Sequence, residues 1–138
     1  VVIMHMKGTP QTMNEEAVYD DLFAEVCGFL QVQAAKARDA GIETVIVDPG
    51  IGFAKHGAHN LAVLRNVGSF ASLGYPLLMG PSRKRFIGEL TGAPADDRVS
   101  GTVAAVTACV LGGASIVRVH DVAACKQAVV VADAIRRA

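Results

Sequence analysis

Four short, nearly all-apolar runs recur along the chain, and each stops abruptly in polar, charged or glycine-rich residues: 1–4, 44–47, 76–79 and 115–119. A run that is apolar without alternation suits a strand covered on both faces, as in a parallel sheet flanked by helices. With Ile3, Val45, Leu77 and Ile116 as markers, the spacings are 42, 32 and 39 residues. One strand–helix unit of an eight-stranded parallel barrel takes roughly 30 residues.

The intervening segments read as helices. Thr12 with Glu15 three residues on is a capping-box pattern, and Val18, Leu22, Val26, Phe29, Leu30 and Ala37 follow at helical spacing up to Gly41. Asn60 predicts the cap of a second helix with Leu61, Leu64, Val67 and Phe70 inward, closing at Gly74. A short helix over 82–90, an Ala-rich one over 99–111 and a last one carrying Ala128, Val129, Val131, Ala132 and Ile135 complete the pattern. The chain is thus α/β, with about four βα units. These make half of a (β/α)8 TIM barrel, or a small flavodoxin-like open sheet of about five strands in reversed order.

Composition narrows the function classes. Hydrophobic residues at 51% and charged residues at 19% of 138 support one domain with a real core. The formal net charge of +0 gives no global field for nucleic acid or an anionic membrane, so anion binding must come from a local cluster. Cys27, Cys109 and Cys125 are odd in number, widely separated and without CxxC spacing, which argues against a disulfide framework or a zinc site and for a reducing, cytoplasmic setting. The uncharged stretch between Arg98 and Arg118 is not a membrane span, because Gly112-Gly113 divides it into a helix and a strand. No secretory signal is visible in these residues, and an opening already inside an apolar run leads to the expectation of a piece of something larger.

Chemistry gathers at the strand ends. The first run leads into Met4, His5 and Met6, the second into Asp48 and a glycine-rich loop with Phe53 and Lys55, the third into Gly80, Ser82, Arg83 and Lys84, and the fourth into Arg118, His120 and Asp121. Carboxyl ends of parallel strands converge, so Asp48, Lys84, Arg118 and His120 are expected to reach one pocket. Arg118 and His120 flank Val119 and share a side of a strand, a pair suited to a phosphate-like anion; the competing reading pairs Arg118 with Asp121. Asp48 before Pro49-Gly50 reads either as an Asx turn or as an acceptor for the N–H groups of a heterocycle. Ser82 is expected to open a helix whose N–H groups add to the three cations Arg83, Lys84 and Arg85. His56 and His59 are expected to face water, Met4 and Met6 read first as packing, and Phe23 and Phe86 as core. No histidine and carboxylate grouping has metal-ligand spacing.

Taken together, Ile3-Met4-His5-Met6-Lys7-Gly8-Thr9-Pro10, Asp48-Pro49-Gly50-Ile51-Gly52-Phe53-Ala54-Lys55, Gly80-Pro81-Ser82-Arg83-Lys84-Arg85-Phe86-Ile87-Gly88 and Arg118-Val119-His120-Asp121-Val122 resemble dihydropteroate synthase. The resemblance covers nearly the whole chain and corresponds to the C-terminal half of that enzyme, making residues 1–138 the C-terminal part of a pterin-binding (β/α)8 barrel. It implies a transferase that joins 6-hydroxymethyl-7,8-dihydropterin pyrophosphate to p-aminobenzoate, releasing pyrophosphate and forming dihydropteroate for folate biosynthesis, with sulfonamides competing for the p-aminobenzoate slot. It further implies that Asp48 binds the pterin, with Met4 on the ring, Gly80 leaving room at its edge, and Arg118 over a face. Lys84 would contact the pterin and, with Phe53, line the p-aminobenzoate slot; Arg118 and His120 would hold the pyrophosphate. Lys84, Arg118 and His120 are thereby implied as the catalytic groups.

Two departures accompany it. Some members have Ser after the SRK triplet to receive the p-aminobenzoate carboxylate; here Arg85 stands there and is assigned that role through its backbone N–H or guanidinium. The first four strands of the family have no counterpart. Magnesium is therefore implied as a cofactor whose protein ligand lies in the missing N-terminal half, with no metal ligand in this chain, and the chain alone is expected to be inactive. A cytoplasmic homodimer formed through the C-terminal helices is implied as well. The alternatives are a catalytically incomplete half-barrel or binding module, and a pterin-dependent methyltransferase domain, which binds a reduced folate without pyrophosphate.

Overall fold

A computed structural model describes residues 1–138. Strands β1 (Val2–Met4), β2 (Ile46–Asp48), β3 (Leu78–Met79) and β4 (Ile116–Val117) alternate with helices. The helices are α1 (Leu22–Asp39), α2 (Gly57–Arg65), α3 (Val67–Ala71), α4 (Arg85–Thr91), α5 (Val99–Leu111) and α6 (Val122–Arg137). β1 pairs with β2 in parallel, Met4 beside Asp48, and β3 pairs with β4 in parallel. A parallel bridge between Val47 and Leu77 joins the two pairs. The spatial order therefore follows the chain. A flavodoxin-like sheet reverses its order around the first strand, so this winding is that of consecutive barrel units. No helix is long and apolar enough to cross a membrane, and the uncharged stretch resolves into α5, a Gly112-Gly113 turn and β4.

Helices on the outside of the strands close one main core. Phe70, Leu30, Ile51, Leu77, Met79, Val26, Val47, Val63 and Val67 are fully buried there. α1 presents Val26, Leu30 and Ala34 at four-residue spacing to β1 and β2. A smaller cluster of Val106, Val110, Cys125 and Ala132 glues α5 to α6. The other face of α6 carries exposed Val122, Val130, Val131 and Ile135.

In the first half of the chain, two helix starts differ from the sequence expectation. Thr12 and Glu15 do not cap α1: the Thr12 hydroxyl donates to Glu16 Oε1 at 2.6 Å and accepts the Thr9 N–H at 3.0 Å, closing a local turn instead. α1 opens ten residues later, where Asp21 Oδ1 accepts the Phe23 and Ala24 N–H groups, both at 3.0 Å, and Val18 is left exposed. The second helix begins at Gly57 and breaks at Asn66, which ends α2 and starts α3. The stripe facing the core is then Asn60, Val63, Val67 and Phe70, and Leu61 turns outward.

Asp21→Ala is expected to lower the unfolding free energy by about 1 kcal/mol, and Thr12→Ala by no more than about 0.5 kcal/mol. Urea denaturation of the two variants distinguishes the caps.

Candidate active site

The loop leaving β2 is fastened from beneath. Asn60, read from the sequence as a helix cap, is buried inside the first turn of α2: its Oδ1 accepts the Gly52 N–H at 2.8 Å, and its Nδ2 donates to the carbonyls of Lys55 at 3.1 Å and His56 at 3.0 Å. Tyr19 adds a hydroxyl bond to the Ala54 carbonyl at 2.7 Å. Lys55 is buried, with Nζ 3.0 Å from His5 Nδ1 and 3.2 Å from the Phe53 carbonyl. Burial, reinforced by Lys55 and Lys7, pushes the His5 imidazole down to about 4, and burial pulls the Lys55 ammonium down to about 8. A neutral His5 thus accepts from a charged Lys55, tying the end of β1 to this loop. His59 does not simply face water, since its ring meets Tyr19 edge-on at 5.2 Å; His56 is exposed.

Asp48 sits at the bottom of the site, 2% exposed, the depth at which an unpartnered carboxylate is costly. Its Oδ1 accepts the Gly50 N–H at 2.8 Å, the Asx turn foreseen, while Oδ2 faces the Arg118 guanidinium at 3.8 Å. Burial raises its affinity for a proton, and the Gly50 N–H, Arg118, Lys84 and Lys55 oppose that. It can therefore serve as a turn residue through one oxygen and as an acceptor through the other. Met4 lies beside it on β1.

The basic loop after β3 does not open a helix at Ser82. α4 begins at Arg85, with Lys84 in extended backbone as its first flanking residue. Ser82 is buried and accepts the His120 N–H at 3.1 Å, with Oγ 2.8 Å from His120 Nδ1. When Oγ donates to Nδ1 while accepting the main-chain N–H, the ring carries its proton on Nε2, a donor open to a ligand. Arg83 grips Asp121 bidentately, Nε–Oδ2 2.9 Å and Nη2–Oδ1 2.6 Å. The reading that gave Asp121 to Arg118 thus fails: Asp121 is taken by Arg83, and Arg118 reaches over Gly80 to Asp48, its Nη2 3.5 Å from where a Gly80 Cβ would stand.

Lys84 is the hinge of the site. Its Nζ stands 4.2 Å over the Phe53 ring, and its stem lies on Gly52, where a side chain would meet Lys84 Cδ at 2.8 Å and where φ is +79°. Gly52 therefore makes room for this lysine. Burial and the neighbouring Arg118 lower the Lys84 pKa, and Asp48 opposes them. Lys84 walls two clefts. One, of about 400 Å³, is lined by Gly80, Ser82, Arg118, Val119 and His120. The other, of about 220 Å³, includes Gly52, Lys55, Asn60, Arg85 and Glu89. Arg85 is exposed at its mouth, paired with Glu89 at 2.9 Å. Of the four residues expected to converge, Lys84, Arg118 and His120 line one cleft, and Asp48 adjoins it through Arg118 at 3.8 Å without lining it. Asn60, Lys55 and Tyr19 were not foreseen as supports; a buried Asn and Lys beside a glycine-rich loop leave no signal distinct from a cap or a solvated charge.

Consecutive parallel βα units here carry a cation-lined cleft beside a buried carboxylate, an arrangement that can hold an anion at the cations and N–H donors at the carboxylate. The chain belongs to the pterin-binding enzymes, whose family profile, described as "Pterin binding enzyme", matches residues 1–120. Among its relatives are dihydropteroate synthases. That of Synechocystis sp. is 46% identical over 140 residues, covering 99% of this chain and 48% of its own. The Thermus thermophilus enzyme, solved in complex with 4-aminobenzoate, superposes with a TM-score of 0.93 at 47% identity over 97% of this chain and 56% of its own. The same enzyme has been solved in complex with 6HMPPP. The Yersinia pestis enzyme, solved with a sulfonamide drug complex, gives a TM-score of 0.94 at 37% identity over 99% of this chain and 50% of its own. The chain spans about half the length of the relatives it matches.

His5 predicts an acid-side stability profile. Its folded pKa of about 4 lies below the ordinary 6.5, so the unfolded chain binds more protons between these values and stability falls as pH drops from 6.5 toward 4. His59, also lowered by burial, contributes in the same direction. Urea titrations between pH 7 and about 5, above most carboxylate titration, are expected to show this decline, and His5→Asn to make it shallower.

Proposed function

We propose that the polypeptide carrying this segment is a dihydropteroate synthase, and that residues 1–138 form the C-terminal part of its pterin-binding barrel. The observation that carries this reading is the placement of Lys84 in the wall of both clefts, between Phe53 on one side and Arg118 and His120 on the other. Asp48 Oδ2 accepts N–H groups of the dihydropterin, whose ring lies between Met4 and Arg118 with its edge over Gly80. The arylamine occupies the slot of Phe53, Lys84 and Arg85. Pyrophosphate lies against Arg118 and the free Nε2–H of His120.

The chemistry follows from these charges. The bond from the exocyclic methylene carbon to the pyrophosphate oxygen breaks, its electron pair leaving with pyrophosphate. The electron-rich pterin supports the cation left behind, and the arylamine nitrogen forms the new C–N bond and loses a proton. Arg118 and His120 stabilise charge on the leaving group, a contribution that grows as the bond breaks, while Lys84 holds pterin and arylamine in register. An arylamine is nucleophilic at neutral pH, so no strong base is required. The implied magnesium does not fit these residues: no group of three or more His, Cys, Asp or Glu could hold a metal, and the cleft is lined by cationic donors. Its ligand is assigned to the rest of the barrel.

The same reading makes the protein a sulfonamide target through the arylamine slot. It also makes it a homodimer through the C-terminal helices, a role consistent with the apolar outer face of α6. A cytoplasmic location agrees with three free cysteines. A pterin-dependent methyltransferase needs no pyrophosphate site, and the cluster of Lys84, Arg118 and His120 favours the synthase.

In the complete polypeptide, Lys84→Ala and Arg118→Ala are each expected to lower dihydropteroate formation by about 100-fold or more; a parental rate in either variant would remove that residue from the site. The 138-residue chain alone is expected to give no turnover in the same assay.

A further inference from the structure

We propose that Arg98, at the entrance to α5, is a positioning residue that holds the main chain of the basic loop so that the Lys84 ammonium stands over Phe53 between the two clefts. The proposal rests on the synthase reading for its kinetic consequence, but its geometry is independent of it. No carboxylate pairs with Arg98. Its guanidinium donates only to main-chain carbonyls: Nε to Ala93 at 3.0 Å, and Nη1 to Arg83 at 3.1 Å and Lys84 at 3.4 Å. One rigid fork thus spans the link before α5 and the two residues that precede α4, a task that the single point charge of a lysine does not reproduce.

The loop it holds does not hold itself. Arg83 has a φ of +55°, left-handed backbone that a non-glycine residue keeps only when its surroundings fix it. Three other contacts share that work. The Arg83 N–H donates to Thr102 Oγ1 at 3.0 Å, one turn along α5 from Arg98. The Arg83 guanidinium grips Asp121, and Ser82 grips His120. The Lys84 carbonyl, taken by Arg98, also accepts the Ile87 N–H at 3.1 Å and so starts α4. Rotating either peptide beside Lys84 swings its side chain off Phe53. Gly88 supports the assignment from the opposite side: a Cβ there would run into the Arg98 guanidinium, so α4 is hollowed where the arginine passes.

The test is a double-mutant cycle in the complete polypeptide. Arg98→Met is expected to lower kcat/KM for dihydropteroate formation about tenfold in the parent background, and by less than about twofold when Lys84 is already Ala. An equal loss in both backgrounds, or no loss, overturns the proposal. Gly88→Ala keeps Lys84 and improves helix propensity, but crowds the guanidinium; it is expected to reproduce the Arg98→Met loss, again only when Lys84 is present, and it serves if Arg98→Met fails to fold. A parental kcat/KM for a folded Gly88→Ala would count against the role. A readout without substrates separates this proposal from the synthase reading: acetic anhydride labelling of ligand-free protein, followed residue by residue. If the parent makes no dihydropteroate, the synthase reading fails, while labelling at Lys84 still decides the role of Arg98. A rise of about threefold at Lys84 alone in Gly88→Ala or Arg98→Met, reflecting local release of the loop, supports it, and an unchanged pattern overturns it.

Discussion

Everything in the site depends on the parallel ladder whose strands lie side by side in chain order. β1 against β2, the Val47–Leu77 bridge and β3 against β4 aim four successive loops at the same face. The strands are only two or three residues long, so little of the functional surface belongs to regular structure. The loops are held instead by side chains bonded to main chain: Asn60 and Tyr19 beneath the loop after β2, Thr102 beneath the loop after β3, and Ser82 of that loop on the segment after β4. Each such bond satisfies a polar group that loop burial would otherwise strand.

Electrostatically the site is unbalanced in a useful sense. Asp48 is buried with one oxygen facing only a guanidinium at 3.8 Å, while Lys84 and Lys55 have their charged forms disfavoured by burial. A ligand that brings N–H donors to Asp48 and negative charge to Lys84, Arg118 and His120 relieves both conditions at once. The lysines differ in what they do with their charge. Lys55 is absorbed by His5 and the Phe53 carbonyl, whereas Lys84 is held over an aromatic ring beside open space.

Most of the architecture was legible in the amino-acid order because strand burial and helical spacing leave periodic marks. What misled was local chemistry with two outcomes. Thr12 with Glu15 has the composition of a cap, but Thr12 closes a turn onto Glu16, and Asp21 starts the helix because the stripe Val26, Leu30 and Ala34 must face β1 and β2. Asn60 suits a cap equally well, yet it lies inside α2, where the loop after β2 needs its amide. Ser82 follows a strand as helix starts do, but its hydroxyl is claimed by His120, thirty-eight residues away in sequence.

The sequence by itself determined that the chain is built of βα units, that a carboxylate and several cations stand at strand ends, and that those ends share a face. Hydrophobic burial and strand polarity are properties of short stretches, so they can be read from short stretches. Only the tertiary structure decided which cation does what. Arg83, Arg85, Arg98 and Arg118 carry the same group, and their roles follow from partners brought near by folding: Asp121, Glu89, a row of carbonyls and Asp48. Ion pairing acts through space at a few ångströms, and the sequence does not record which distant carboxylate arrives within that range.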